Sequence, residues 1–318
     1  MPYPLGLNFG PTHITASHAL DDGFIVPVTR VTASVAYQDF FRQSLQKRIQ
    51  NDLQSRPQEQ LPNSHLFPPE SQAEELSALF THEIDAIKSD ASRVLGSITV
   101  DVKAISVPYH WNSTVQQAIF SATRVANVPL AGIHLLLRHP QALEKAYHLE
   151  SSIAEDDYLS LVVDYNRSYL HLLICETVKD GGYALVEGQV QLPHLGEDAV
   201  SKGEPGQHYE RISKALERFI YLTTAKDPSS STGGLPYHNV KAVVLGGEAS
   251  SEAMRRMHDV LQQIFADLGK GVLFDSLDPL YLGSMGAARA AKSQVENPKT
   301  TRDFISMPDY IPDEPKAS

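Results

Sequence analysis

Three short segments of this chain carry residue types that could bind an anion or a metal-bound water. They are Gly6-Leu7-Asn8-Phe9-Gly10-Pro11-Thr12, Asp164-Tyr165-Asn166-Arg167-Ser168-Tyr169 and Gly246-Gly247. A Gly-Gly pair between a strand and a helix lets a ligand approach the backbone and the helix N-terminus. The Arg167 guanidinium could pair with phosphate oxygens, and the Asn8 amide could hydrogen-bond a metal-bound water without adding charge. Taken alone, each segment could equally be an ordinary turn.

The sequence contains no other common catalytic or metal-binding motif. Its 13 histidines are scattered, and His134 and His139 share no metal-ligand spacing with a cysteine or a carboxylate pair. The G-x-S-x-G, Walker and H-E-x-x-H patterns are absent. We therefore expect no structural zinc.

The elements that must position these segments begin with a strand-turn-strand unit. Apolar runs predict short strands on both sides of Gly10-Pro11-Thr12, and apolar residues at helical spacing follow in Tyr37–Ser55. A proline-rich loop then precedes a helix that begins at Pro69 and is ended by Gly96. The strand Ile98–Val107 completes this first half.

The second half repeats this plan. Its predicted elements are strands at Tyr158–Asp164, Tyr169–Glu176 and Tyr183–Leu192, a helix at Tyr209–Thr224, a strand at Val240–Leu245, a helix at Glu252–Leu268, a short strand at Val272–Phe274 and a helix at Leu282–Ala291. Two halves that both open with a strand-turn-strand unit indicate a duplicated α/β unit. Residues 293–318 have little periodicity and predict an extended tail.

Length and composition indicate a globular protein with two lobes. The chain has 318 residues, of which 42% are hydrophobic and 20% are charged. A net charge of −11 argues against nucleic acid or an anionic membrane as the main partner. Cys175 is the only cysteine and cannot form an intramolecular disulfide, and the N-terminus lacks a secretory signal pattern. We therefore expect a cytoplasmic protein without a membrane segment.

The most informative segment lies between Ala104 and Glu150. An apolar run ends at Val107-Pro108, a helix follows Asn112-Ser113-Thr114, and the short strand Ile133–Leu137 leads to a second helix after His139-Pro140. This order resembles the first connecting segment in the nucleotide-binding domain of the seventy-kilodalton heat-shock (DnaK-like) chaperones. The resemblance implies an actin-like ATPase (ribonuclease-H-like) α/β fold, with two lobes of duplicated mixed β-sheets flanked by helices.

The domain boundaries follow from this resemblance. Lobe I spans residues 1–157, with a reduced insert at about 37–97, and lobe II spans residues 158–292. The resemblance implies that the final helix of lobe II, which contains Gly286-Ala287-Ala288, packs back toward lobe I.

The first of the three segments resembles the first phosphate loop of this family, GIDLGTT. Asn8, Gly10 and Thr12 are its implied ligand-binding residues. In the family, a carboxylate at the position of Asn8 orients Mg²⁺, and backbone N–H groups reach the phosphates. Pro11 replaces a threonine and removes one N–H donor. Both changes weaken a phosphate cradle.

The second segment resembles the second phosphate loop, DLGGGTFD. Asp164 keeps the carboxylate, but Asn166, Arg167 and Ser168 replace the three glycines. Glycine permits a positive φ and close approach of the backbone to phosphate, and Asn166 could still adopt a left-handed conformation. Arg167 could fill and block the site, or it could itself clamp an anion.

The third segment resembles the adenosine motif, VLVGGSTRIP, with Gly246 and Gly247 as the matching residues. The family arginine that stacks on adenine has no equivalent, because Ser250 occupies that position. In the first connecting segment, His139 replaces the family glutamate. A histidine would not hold a hydrated Mg²⁺ in the same way.

Two regions of the family are missing from this chain. The insert that carries the catalytic lysine is replaced by a helix and a proline-rich loop at Tyr37–Pro69, and the helical subdomain of lobe II is largely absent. We therefore expect a chaperone-like pseudo-ATPase that acts as a binding or scaffold module for an unknown protein partner. The alternatives are a small active ATPase or kinase with a rebuilt phosphate site, and a chaperone or ribosome cofactor. We expect no cofactor, with ATP or ADP and Mg²⁺ as the alternative.

Overall fold

The computed structural model describes residues 3–54, 70–96, 100–149, 158–177, 184–202, 205–224, 240–266 and 273–296. The contacts given below lie within these ranges. The predicted proline-rich loop before Glu70 and the part of the predicted tail from residue 297 onward lie outside these ranges.

The first half is built on a mixed five-stranded sheet. Its strands are β1 (Tyr3–Phe9), β2 (His13–Ala19), β3 (Ile25–Thr32), β4 (Val100–Val107) and β5 (Leu136–Arg138), in the order β3-β2-β1-β4-β5. β1 and β3 run antiparallel to β2, whereas β4 runs parallel to both β1 and β5. Short turns join the antiparallel strands, and helices join the parallel ones, as parallel pairing requires.

Three helices complete the core of this half: α1 (Val35–Gln54), α2 (Glu70–Val94) and α3 (Ser113–Val125). They bury an aromatic cluster formed by Phe9, Tyr37, Phe80 and Trp111, whose ring centroids lie 5.5–6.3 Å apart. Aromatic rings dominate the energetics of such cores because each one buries a large apolar area. Phe9 is the last residue of β1, so this cluster packs next to the start of the β1–β2 turn.

The second half is built on a sheet with the same order and directions. Its strands are β6 (Tyr158–Tyr165), β7 (Leu170–Thr177), β8 (Ala184–Leu192), β9 (Val240–Gly246) and β10 (Leu273–Phe274), in the order β10-β9-β6-β7-β8. β6 pairs antiparallel with β7 and parallel with β9, as β1 does with β2 and β4. The molecule is therefore an α/β protein with two mixed five-stranded sheets flanked by helices.

Helices cover both faces of the second sheet. α4 (His139–Ala146) packs on one face, and α5 (Pro205–Thr224) and α6 (Ser251–Ile264) pack on the other. All eight residues of β6 are consequently buried, which explains its nearly continuous apolar sequence. Cys175 on β7 is fully buried, and this burial raises the pKa of its thiol well above the usual range. It is therefore an unreactive core residue.

The last helix of the described ranges, α7 (Leu282–Glu296), crosses from the second half to the first. It packs on β1, β2 and β4 and against α4. At the crossing of the two helices, a Cβ atom on Gly286 would overlap the carbonyl oxygen of Ala142, so the helices can approach only because this residue is glycine. Ser17 and Ser284 add a buried hydroxyl contact of 2.8 Å between α7 and the first sheet.

Several element boundaries differ from the sequence-based predictions. α7 continues to Glu296, so the predicted tail does not begin at 293. α5 begins at Pro205 because proline is well suited to the first helical turn, and a 3₁₀ turn occupies Glu197–Lys202 within the predicted loop. The strand predicted at Ile133–Leu137 is a 3₁₀ turn followed by β5. Within the described ranges, no helix combines the length and apolar character needed to span a membrane.

Candidate functional site

A small cleft lies where the two halves meet. It is bordered by the β1–β2 turn, the β6–β7 turn, the residues after β9 and the start of α4. The space between its walls is about 30 Å³, which is room for about two water molecules. Five of the predicted ligand-binding residues line it: Asn8, Gly10, Asp164, Asn166 and Gly247.

Asp164 lies at the end of β6 and is nearly buried, with 8% of its surface exposed. Its Oδ1 accepts a hydrogen bond from Asn166 Nδ2 at 2.8 Å, and its Oδ2 accepts one from the Tyr169 hydroxyl at 3.3 Å. The nearest basic group is His139, whose Nε2 lies 3.9 Å from Oδ1. The hydrogen bonds to this carboxylate therefore come from two neutral donors, the Asn166 amide and the Tyr169 hydroxyl.

Asn166 connects the β6–β7 turn to the Gly-Gly turn. In addition to its bond to Asp164, its Oδ1 accepts the backbone N–H of Glu248 at 2.9 Å. Both contacts hold its side chain in place. The φ of Asn166 is not positive, so the left-handed conformation considered for it is not adopted. The residue acts as a two-sided hydrogen-bond bridge and does not open space for a ligand.

Glu248, which is not among the predicted site residues, makes more polar contacts with the β1–β2 turn than any other described side chain. Its carboxylate accepts hydrogen bonds from the backbone N–H of Thr12 at 3.1 Å and of His13 at 3.2 Å. The Thr12 hydroxyl also donates to it, and His13 Nδ1 lies 3.2 Å from Oε2. A carboxylate from the second half thus lies where the family resemblance would put a phosphate. The only local signal for it was an acidic residue directly after Gly246-Gly247.

Two glycines allow Glu248 to reach this position. Gly247 has a φ of +123° and lies against the backbone of Tyr165, where a Cβ atom would overlap the Tyr165 carbonyl. A Cβ atom on Gly10 would overlap the Glu248 carboxylate itself. Gly246 is buried behind the turn, and its nearest side chain is Leu143. The Gly-Gly pair therefore serves a contact within the chain.

Arg167 and Ser168 lie outside the cleft. Both are exposed, and Arg167 Nη2 is 3.3 Å from the exposed carboxylate of Asp198. The backbone N–H groups of Glu197 and Asp198 donate to the carbonyls of Asn166 and Arg167 at 3.0 and 2.8 Å, which holds the loop after β8 over this turn. The expectation that Arg167 fills the cleft, and the alternative that it clamps an anion there, both disagree with this position.

Asn8 is 6% exposed and faces the same side of the first sheet as Ser17, toward α7. No described residue donates a hydrogen bond to its Oδ1, and the hydroxyl of Thr15, its partner on β2, likewise has none. Asn8 therefore lies at the cleft wall, but its amide carries no negative charge.

Three histidines also line the cleft, His171 buried and His110 and His139 half-buried. Burial lowers the pKa of His110 to about 3 and that of His171 to about 4. Burial also lowers the pKa of His139, an effect that Asp164 and Glu248 oppose. His139 Nδ1 lies 3.3 Å from the Ser106 hydroxyl, which orients the ring.

The Tyr169 ring joins the two halves. It follows the β6–β7 turn, yet it packs into the aromatic core of the first half and stacks on Phe41 with a centroid distance of 6.3 Å. Burial raises the pKa of its hydroxyl well above the usual range, so the hydroxyl remains a donor to Asp164. Sequence reasoning assigned Tyr169 no role, because its partner Phe41 is more than 120 residues away.

The described residues offer few groups that could hold a cofactor. No lysine or arginine lines the cleft within the described ranges, and no three histidine, cysteine or acidic side chains there are arranged to hold a metal ion. Asp164 and Glu248 are its acidic groups. No protein-family model matches the sequence and no curated protein is significantly similar to it, so the interpretation of this cleft rests on its own contacts.

Proposed function

We propose that this chain is an actin-like ATPase fold that no longer hydrolyses ATP and acts as a binding or scaffold module. The repeated sheet order and the position of the cleft between the halves support the fold assignment. The resemblance of Ala104–Glu150 to the chaperone connecting segment supports the same assignment.

The observation that carries the loss of catalysis is the chemistry of the cleft. It is lined by two carboxylates, Asp164 and Glu248, and by no lysine or arginine of the described residues. Phosphoryl transfer depends on cations and N–H donors that stabilise the charge on the transferred group. A triphosphate would instead face two negative groups in a largely buried space, where like charges repel most strongly.

The contacts of these residues weigh against a nucleotide with Mg²⁺. The N–H groups of the β1–β2 turn already bond to Glu248, and Asp164 already bonds to Asn166 and Tyr169. Arg167, the residue on which a rebuilt active site would depend, pairs with Asp198 at the surface. The alternative of an active ATPase or kinase is therefore the weaker proposal.

Binding of ATP and ADP to the purified protein, with and without Mg²⁺, tests this function. We expect no heat of binding by calorimetry and no thermal stabilisation at millimolar nucleotide. The matched control is Asp164→Ala, which removes the carboxylate that resembles the family residue. Mg²⁺-dependent ATP hydrolysis that disappears in this variant would overturn the proposal.

A further inference from the structure

We propose that the β1–β2 turn is an oxyanion site whose ligand is the side chain of Glu248. By this inference, a small carboxylate such as acetate binds the turn once the Glu248 carboxylate is removed. The inference concerns the turn and its ligand and does not depend on whether the protein binds nucleotide.

The donors converge on one position. The backbone N–H groups of Thr12 and His13, the Thr12 hydroxyl and His13 Nδ1 all approach the two oxygens of Glu248. Successive backbone N–H groups in a turn form a concave anion site, and hydrogen bonds to an ionised acceptor are about twice as strong as neutral ones. The turn is closed by a bond from Gly10 N–H to the His13 carbonyl at 3.0 Å, so these donors are held in place before a ligand arrives.

The site is largely shielded from water. Only 6% of the Glu248 side chain is exposed, compared with 29% for His13. Among the described residues, His13 is the one basic group that the structure pairs with this carboxylate. Most of the stabilisation of the carboxylate must therefore come from the N–H and hydroxyl donors of the turn.

Contacts within the second half hold the backbone of Glu248 in place. Its backbone N–H donates to Asn166, and the positive φ of Gly247 sets the direction of the chain just before it. The side chain thus spans from one half to the other, and 235 residues separate His13 from Glu248. This contact links the halves in the way that a bound anion would.

The chemical class of ligand follows from the part of Glu248 that enters the turn. Replacement by alanine leaves Cβ in place and removes a methylene and a carboxylate, which together match acetate. A planar carboxylate offers two oxygens to four donors, whereas chloride offers one centre and no fixed direction. The site should therefore distinguish acetate from chloride at equal ionic strength.

Thermal unfolding of the full-length Glu248→Ala variant tests the inference. We expect its Tm to fall by on the order of 5 °C, since the donors lose a nearly buried acceptor. Sodium acetate should restore part of this loss in a saturable manner, and sodium chloride should not. Carbon-13-labelled acetate should show line broadening with the variant and none with the wild-type protein, in which Glu248 occupies the turn.

Two matched variants serve as controls. Glu248→Gln keeps the volume of the side chain, so acetate has no space to enter and should not raise its Tm. Glu197→Ala removes another carboxylate that accepts bonds from a backbone N–H and a hydroxyl, those of Ser250, but at an exposed position. Acetate should not stabilise this variant, because water already competes for those donors.

An equal effect of acetate and chloride on Glu248→Ala, or a Tm unchanged from the wild-type value, would overturn the proposal. Should the variant not fold in chloride buffer, its refolding yield from denaturant in acetate and in chloride gives the same comparison. Failure to refold in both salts would also count against acetate as a substitute ligand. A wild-type protein that hydrolyses ATP would contradict the proposed function, and the comparison of acetate with chloride could still be read.

Discussion

Lowering the pH from 7.5 to 5 should destabilise this protein through two histidines at the cleft. His171 is buried and His110 is half-buried in the folded protein, and loss of contact with water lowers their pKa values to about 4 and about 3. In the unfolded chain a histidine has a pKa of about 6.5. Because the unfolded state takes up protons first as the pH falls, acid favours unfolding.

The size of the effect follows from the two pKa values. At pH 7.5 both histidines are almost entirely neutral in the folded and the unfolded state, so their titration costs almost no stability there. At pH 5 an unfolded histidine is mostly protonated while its folded counterpart is not, which shifts the free energy of unfolding by about 2 kcal/mol per residue. The two residues together account for about 4 kcal/mol, a large part of the 5–15 kcal/mol that is typical of a folded domain.

Urea denaturation at several pH values measures this loss. The single variants His110→Gln and His171→Gln keep a polar side chain and remove the titration. Each should lose about 2 kcal/mol less than the wild-type protein between pH 7.5 and 5. Since His110 contributes to the lowered pKa of His171, the double variant should recover slightly less than the sum. If both single variants lose as much stability as the wild-type protein, the histidines are not buried neutral groups and the reasoning is wrong.

Three further substitutions test the contacts between and around the halves. Tyr169→Ala removes the ring that stacks on Phe41 and should cost about 3–5 kcal/mol in urea denaturation, whereas Tyr169→Phe should cost only about 1 kcal/mol. A loss below 1 kcal/mol for the alanine variant would mean that the ring does not join the halves. Gly286→Ala should cost on the order of 2 kcal/mol or more, because its Cβ would overlap the carbonyl of Ala142, and an unchanged Tm would contradict this close crossing. Arg167→Ala should change stability by less than about 0.5 kcal/mol and leave nucleotide binding unaltered. A gain or loss of ATP binding by calorimetry would mean that the Arg167 side chain does act in the cleft.

Much of the fold could be predicted because its signals are local. The apolar runs that became β1, β6 and β9 are short, strongly apolar and bounded by turn residues, so their positions matched within a few residues. The strand-turn-strand opening of each half indicated a duplication, and the two sheets have the same order. Boundaries were less accurate where a 3₁₀ turn or a helix start depends on packing, as at Pro205.

The candidate site was harder to predict because its contacts are long-range. The segments around Asn8, Asp164 and Gly247 were identified and do meet at one cleft. Nothing local to Glu248 shows that its carboxylate reaches Thr12, which is 236 residues away. The direction of the Arg167 side chain depends in the same way on Asp198, which is supplied by a loop after β8. Side-chain partners of this kind depend on tertiary structure, and local sequence patterns do not contain them.

The position of α7 has a consequence for synthesis on the ribosome. This helix covers β1, β2 and β4, yet it is made after every strand of both sheets. One face of the first sheet therefore lacks its covering helix until residue 296 has left the exit tunnel. The first half therefore cannot complete its fold while the second half is being translated. Full packing of the first sheet has to wait until α7 has been synthesised.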